Sequence, residues 1–66
     1  MKLFECILGL ADKENINVIV MKGDIVMFLE AGEGDIHVEG VAGWCTGFEL
    51  NFTPEQFVKH FKSSTK

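Results

Sequence analysis

Apolar and polar residues alternate through most of this chain, and the period changes once, near residue 53. Residues 3–10 read as a first strand, with Phe4, Cys6, Leu8 and Leu10 on one face and Leu3, Glu5 and Ile7 on the other. After the polar break Asp12-Lys13-Glu14-Asn15, residues 16–21 are rich in β-branched side chains and read as a second strand. Lys22-Gly23-Asp24 reads as a hairpin turn into a third strand at 25–30, the glycine supplying positive φ. Ala31-Gly32-Glu33-Gly34-Asp35 is the next turn. A fourth strand at 36–41 sets Ile36 and Val38 against His37 and Glu39. The segment 42–47 reads as a glycine-bracketed loop or bulge. A fifth strand at 48–52 sets Phe48, Leu50 and Phe52 against Glu49 and Asn51.

Beyond Phe52 the period becomes 3.6. Thr53 can cap a helix, Pro54 suits its first position, and Gln56 completes a capping box. Phe52 and Phe57 stand where a hydrophobic staple requires them. Phe57, Val58 and Phe61 form the expected buried stripe, while Glu55 and Lys59 are spaced to pair outside it. Lys59, His60 and Lys62 favour the negative end of the helix dipole. The expected class is α+β: a small antiparallel five-stranded β-meander, open or strongly curved, with one C-terminal α-helix packed on it. Residues 1–62 form a single small domain and 63–66 a flexible tail.

That arrangement leaves apolar surface uncovered. A helix of about nine residues is only ~14 Å long, and five strands spaced ~4.8 Å apart make a sheet ~20 Å wide. The outer face is polar in the last two strands and apolar in the first three. Soluble monomers rarely leave such a patch open. Either the sheet curls into a small barrel or a second copy covers it. Met, Phe and Trp suit interface cores, and the expected self-association surface is Ile19, Met21, Val26 and Phe28, most simply in a dimer.

Composition narrows the function classes. Sixty-six residues give a thin core, and a hydrophobic fraction of 47% excludes a disordered segment. Glu5 and Asp12 interrupt the apolar start that a signal peptide would need. The longest apolar runs fall far short of a membrane span of roughly 20 residues. Two cysteines without a secretion signal read as reduced thiols, so a cytoplasmic setting is expected. The net charge is -4, and there is no arginine. Both argue against nucleic acid and anionic membranes as partners, since those reward a positive field. Lys59, Lys62 and Lys66 make the single local basic cluster.

No catalytic pattern emerges. Gly32 and Gly34 lack the third glycine, the Lys-Ser or Lys-Thr and the following helix of a phosphate loop, and Glu33 and Asp35 would repel phosphate. His37-Val38-Glu39 lacks the downstream Pro-Cys-x-x-Cys that a zinc deaminase requires. Cys6, His37, Cys45 and His60 have no metal-finger spacing, and neither a metal nor a cofactor is expected. Cys45, beside Trp44 and between glycines, is the one residue that looks placed rather than packed, with His37 as its candidate base. The reading is a non-enzymatic binding protein acting as a homo-oligomer, such as an acidic inhibitor or accessory protein of the phage or mobile-element type. It would engage a protein or small ligand through a sheet face or the loop at residues 43–45. The alternative is a ligand-binding or enzymatic unit with an intersubunit pocket around Trp44 and His37. Its candidate ligand-binding residues are Trp44, Cys45, His37, Glu39, Glu49 and Asn51.

Overall fold

The computed structural model describes residues 2–64. Its strands are β1 (Leu3–Cys6), β2 (Leu10–Ala11), β3 (Ile19–Val20), β4 (Ile25–Gly32), β5 (Asp35–Ala42) and β6 (Glu49–Phe52). A helix α1 (Pro54–His60) and a last strand β7 (Phe61–Ser63) follow. The chain is thus mostly β with one short helix, an α+β fold with a five-stranded antiparallel sheet.

The sheet is not a meander. Its strand order is β6-β5-β4-β1-β7, while β2 and β3 pair separately. Residues 3–10 do not form one strand: the ladder stops at Cys6 and resumes as the two-residue β2. Most of 16–21 leaves the main sheet as well, because Leu10 pairs with Val20 and Ala11 with Ile19 in a small flap.

The turn at 22–24 does form, but it joins no paired strands. Asp24 donates its N–H to the Met21 carbonyl at 2.9 Å, and Gly23 takes a φ of 96°. Gly23 then donates to the Cys6 carbonyl at 2.8 Å, and Cys6 donates to the Asp24 carbonyl at 2.8 Å. The turn is docked on the end of β1, so β4 runs back along β1 rather than along β3. Leu3 opposes Met27 and Phe4 opposes Val26.

β4 and β5 form the hairpin that the alternation promises, longer than expected, with Gly32 opposite Asp35 and Gly34 at φ 71° in the turn. The register shifts between Phe28 and Glu30, and again between Ile25 and Val26. Such bulges bend the ladder and re-aim side chains.

The helix begins as its capping signals require. Thr53 Oγ1 accepts the Gln56 N–H at 3.2 Å, and Gln56 Oε1 accepts the Thr53 N–H at 3.1 Å. It stops one residue before Phe61, which is extended at φ -127° and ψ 152°. One more helical turn would gain few hydrogen bonds, whereas the free edge of β1 offers a full ladder. Phe61 therefore opposes Cys6, Lys62 opposes Glu5, and Ser63 opposes Phe4. Of residues 63–66, Ser63 ends β7 and Ser64 donates to the Leu3 carbonyl at 2.9 Å. Thr65 and Lys66 lie outside the described residues. Val58 was expected in the buried stripe and is instead 74% exposed, since α1 buries Phe57 and the next position lies about 100° around the helix from it. Among the described residues the one ion pair is Lys13–Asp35, not Glu55–Lys59.

The core gathers both ends of the sheet. Val20, Val26, Val38, Cys6 and Cys45 are fully buried around Phe52 and Leu50. Phe52 of β6 and Phe61 of β7 meet with ring centres 5.4 Å apart, and Phe57 packs edge-on against Phe4 at 4.9 Å. The flap covers the outer edge of β6. Lys13 donates to the Asn51 carbonyl at 3.0 Å, and the buried Asp12 carboxylate accepts the N–H of Glu14 at 2.9 Å and of Asn51 at 3.4 Å. An exposed edge strand is thereby given partners within its own chain.

Two substitutions test this account of α1. Thr53→Ala removes the cap and should cost about 1 kcal/mol. Phe57→Ala removes a ring shared by Phe4 and Phe61 and should cost ~3–5 kcal/mol in denaturant unfolding. A Phe57→Ala protein unfolding at the same denaturant concentration as the parent would mean that the helix does not pack on this core.

Candidate functional site

Two segments distant in sequence meet at one end of the molecule: the turn at 21–24 and the loop at 43–48. A single buried carboxylate joins them. Asp24 Oδ2 accepts the Met21 N–H at 3.0 Å, and its Oδ1 accepts the Trp44 N–H at 3.1 Å. Gly43 makes this approach possible. Its φ is 98°, and a Cβ there would stand 2.1 Å from the Asp24 Oδ1.

The loop is compact. Gly47 donates to the Gly40 carbonyl at 2.8 Å, Gly40 donates to Phe48 at 2.9 Å, and Thr46 Oγ1 donates to the Gly43 carbonyl at 2.7 Å. A Cβ on Gly40 would fall 2.0 Å from the Cys45 carbonyl oxygen, so the loop can fold onto β5 only over a glycine. The result separates Trp44 from Cys45. Trp44 points outward, 54% exposed, and stacks on Phe48 with ring centres 6.1 Å apart and planes 16° apart. Phe48 is itself 43% exposed rather than continuing the buried row of Leu50 and Phe52.

Cys45 is fully buried. Burial first, and the neighbouring Asp24 carboxylate second, push its thiol up to about 11. Cys6 is raised too, again chiefly by burial. Both cysteines are free thiols. A nucleophilic cysteine needs a thiolate near neutral pH, and Cys45 is held in the opposite state. His37 is not near enough to act on it by any hydrogen bond; its ring lies over Gly32, where a Cβ would come within 3.0 Å of its Nε2.

The other predicted site residues lie on the outer face of β5 and β6. His37 stands opposite Asn51, and Glu39 opposite Glu49. His37, Glu49 and Asn51 line a depression of about 190 Å³ together with Glu30, Leu29, Val38 and Leu50. Trp44, Cys45 and Glu39 are not part of that lining. The six candidates therefore divide into a polar depression lined by His37, Glu49 and Asn51, the carboxylate of Glu39 across from Glu49, an exposed aromatic and a core thiol. Among the described residues, no three His, Cys, Asp or Glu side chains are placed to hold a metal ion. No helix among them is long and apolar enough to cross a membrane.

The proposed self-association residues divide as well. Ile19 and Met21 are about half exposed, Phe28 is half-buried beside Phe4, and Val26 is fully buried in the core. The sequence reading missed Asp24, Asp12 and the outward turn of Phe48. Asp12 had a usable signal, because an Asp two residues before a free N–H favours an Asx turn. Asp24 looked like an ordinary turn residue.

Cys45 gives this site a pH signature. Its folded pKa lies above the value of about 9 in the unfolded chain, so the unfolded state sheds the proton first and stability falls as pH rises from about 9 to about 11. Denaturant unfolding across that window should show a steeper loss for the parent than for Cys45→Ala. Parallel curves would contradict the buried, protonated thiol.

Comparison of the chain with protein-family models, with curated proteins and with solved structures finds no match.

Proposed function

We propose that this chain is a small non-enzymatic binding protein whose working surface is the apolar end built around Asp24. The observation that carries this reading is the run of half-exposed apolar side chains there. Met21 and Trp44 hang from the same carboxylate, Phe48 stacks on Trp44, and Ile19 lies two residues before Met21. Ile19 and Met21 are both about half exposed, with Val20 turned into the core between them. Opposite them stand Ala11 and Gly9, which add little bulk. Exposed apolar groups that are contiguous and fixed mark interaction sites.

The sheet in this reading is strongly curved and encloses its own core. Four flat inter-strand steps would hold β6 and β7 ~19 Å apart, yet Phe52 and Phe61 touch. The accessible surface of 4217 Å² is also close to the roughly 4,200 Å² expected of a monomeric protein of this mass. Curvature thus accounts for the inner face, and the remaining apolar surface on the flap is left for a second copy. Ile19 and Met21 carry the self-contact, in a cytoplasmic homodimer with a protein partner.

A small-ligand role for the depression at His37, Glu49 and Asn51 ranks second. Its volume of about 190 Å³ is below the ~300–1,000 Å³ usual for ligand sites, and its lining is mixed.

Light scattering across micromolar concentrations should give a multiple of 7.4 kDa. Met21→Glu should lower it to the single-chain mass without altering the fold. A parent protein that is monomeric at every concentration would contradict self-association through the flap.

A further inference from the structure

We infer that the flap is a strap over the outer edge of β6, and that the edge beneath it is a self-complementary site for a second copy of this chain. The inference goes beyond the flap contact proposed above, because it concerns the surface that the flap conceals.

β6 closes one side of the five-stranded sheet and has β5 as its ladder neighbour. Backbone groups alternate along an antiparallel strand. Leu50 stands opposite Val38 on β5, and the outward N–H and C=O groups are those of Glu49 and Asn51. At Asn51 the flap occupies both. Asp12 Oδ1 accepts the N–H at 3.4 Å, and Lys13 donates its own N–H to the C=O at 3.0 Å. A side-chain oxygen and a loop amide thus stand where a neighbouring strand would put its carbonyl and its amide. The Lys13–Asp35 ion pair fastens the same point to the β4–β5 hairpin.

This hold is light. Residues 13–17 are all exposed, and the bond to the Asn51 N–H is stretched beyond the usual ~2.9 Å. Segments tied by few bonds and little buried apolar surface open below the free energy of global unfolding.

The residues of the edge name its occupant. A strand added by a two-fold axis meets its own sequence running the other way. Centred on Glu49, such a pairing would set carboxylate against carboxylate, which weakens a sheet. Centred on Leu50, it sets Leu50 against Leu50 and Glu49 opposite Asn51, a carboxylate beside an amide that can donate to it. Each Glu49–Asn51 pair then exchanges both backbone hydrogen bonds. The flap is bonded to Asn51, whose groups this register needs. An edge strand covered from within its own chain is protected from such pairing.

The test uses the full chain with Met21→Glu throughout, which removes the flap contact, and reads the mass by light scattering. Asp12→Ala takes away the side-chain acceptor, and Lys13→Pro takes away the loop amide and the ion pair. Either change should raise the apparent mass from 7.4 kDa toward twice that value at about 100 μM. Adding Asn51→Pro deletes an outward N–H, leaves the β5 ladder intact and should restore the lower mass. In the parent protein, the Asn51 amide should be protected from exchange at least about tenfold less than that of Leu50.

A strap variant that stays folded by circular dichroism at the mass of Met21→Glu alone would overturn the inference. So would association that survives Asn51→Pro, which would mean sticking through uncovered apolar residues, or equal protection of the Asn51 and Leu50 amides. Should Asp12→Ala fail to fold, Lys13→Pro decides. The flap contact fails separately, when the parent and Met21→Glu have the same mass whatever the strap variants do.

Discussion

One buried carboxylate sets the geometry of the end where residues 21–24 meet residues 43–48. Asp24 accepts two backbone N–H groups, one from Met21 and one from Trp44, twenty residues further along the chain than Asp24 itself, and the Cys45 thiol lies against it as well. A buried charge is tolerated only when its oxygens are satisfied, so the turn at 21–24 and the loop at 43–48 must both be in place for the core to close. Gly43 and Gly40 then become steric requirements, since a side chain at either would strike Asp24 or Cys45. Trp44 faces water because its own N–H is committed inward.

A parallel arrangement operates at the opposite edge. Asp12 is buried and holds the N–H groups of Glu14 and Asn51, tying the flap to β6. The C-terminal segment serves the remaining edge, with β7 filling the open side of β1 and His60 accepting the Ile7 N–H at 2.7 Å through its carbonyl. The His60 ring donates from Nδ1 to the Leu8 carbonyl at 2.5 Å, so the helix end is fastened twice to the chain leaving β1. A thin core of this kind depends on such polar ties because buried apolar area alone is small.

Much of this was legible in the residues and some was not. The hairpin of β4 and β5, the β6 alternation of Leu50 and Phe52, and the capping box of α1 all rest on local periodicity and cap chemistry. The meander failed because local pattern is silent about which strand a segment joins. Ile16 to Met21 looks like a sheet strand, but tertiary pairing left only Ile19 and Val20 in a ladder. Phe61 at helical spacing from Phe57 concealed β7, whose ladder is created by β1, at the far end of the chain. At the candidate site, His37, Glu49 and Asn51 share one face because cross-strand pairing follows from alternation. The opposite fates of Cys45 and Trp44 are ones no periodicity reveals: a contact with Gly40 buries the thiol and leaves the neighbouring Trp44 exposed.

The dependence on Asp24 is open to direct measurement by amide hydrogen exchange in Asp24→Asn. The substituted side chain keeps one acceptor oxygen and replaces the other with a donor, so the N–H of Met21 or of Trp44 must lose its partner. The account predicts faster exchange at one or both of these amides, while Val38 and Leu50 in the β5–β6 ladder keep the protection of the parent. Unchanged exchange at both Met21 and Trp44 would contradict the claim that this carboxylate holds the turn and the loop together.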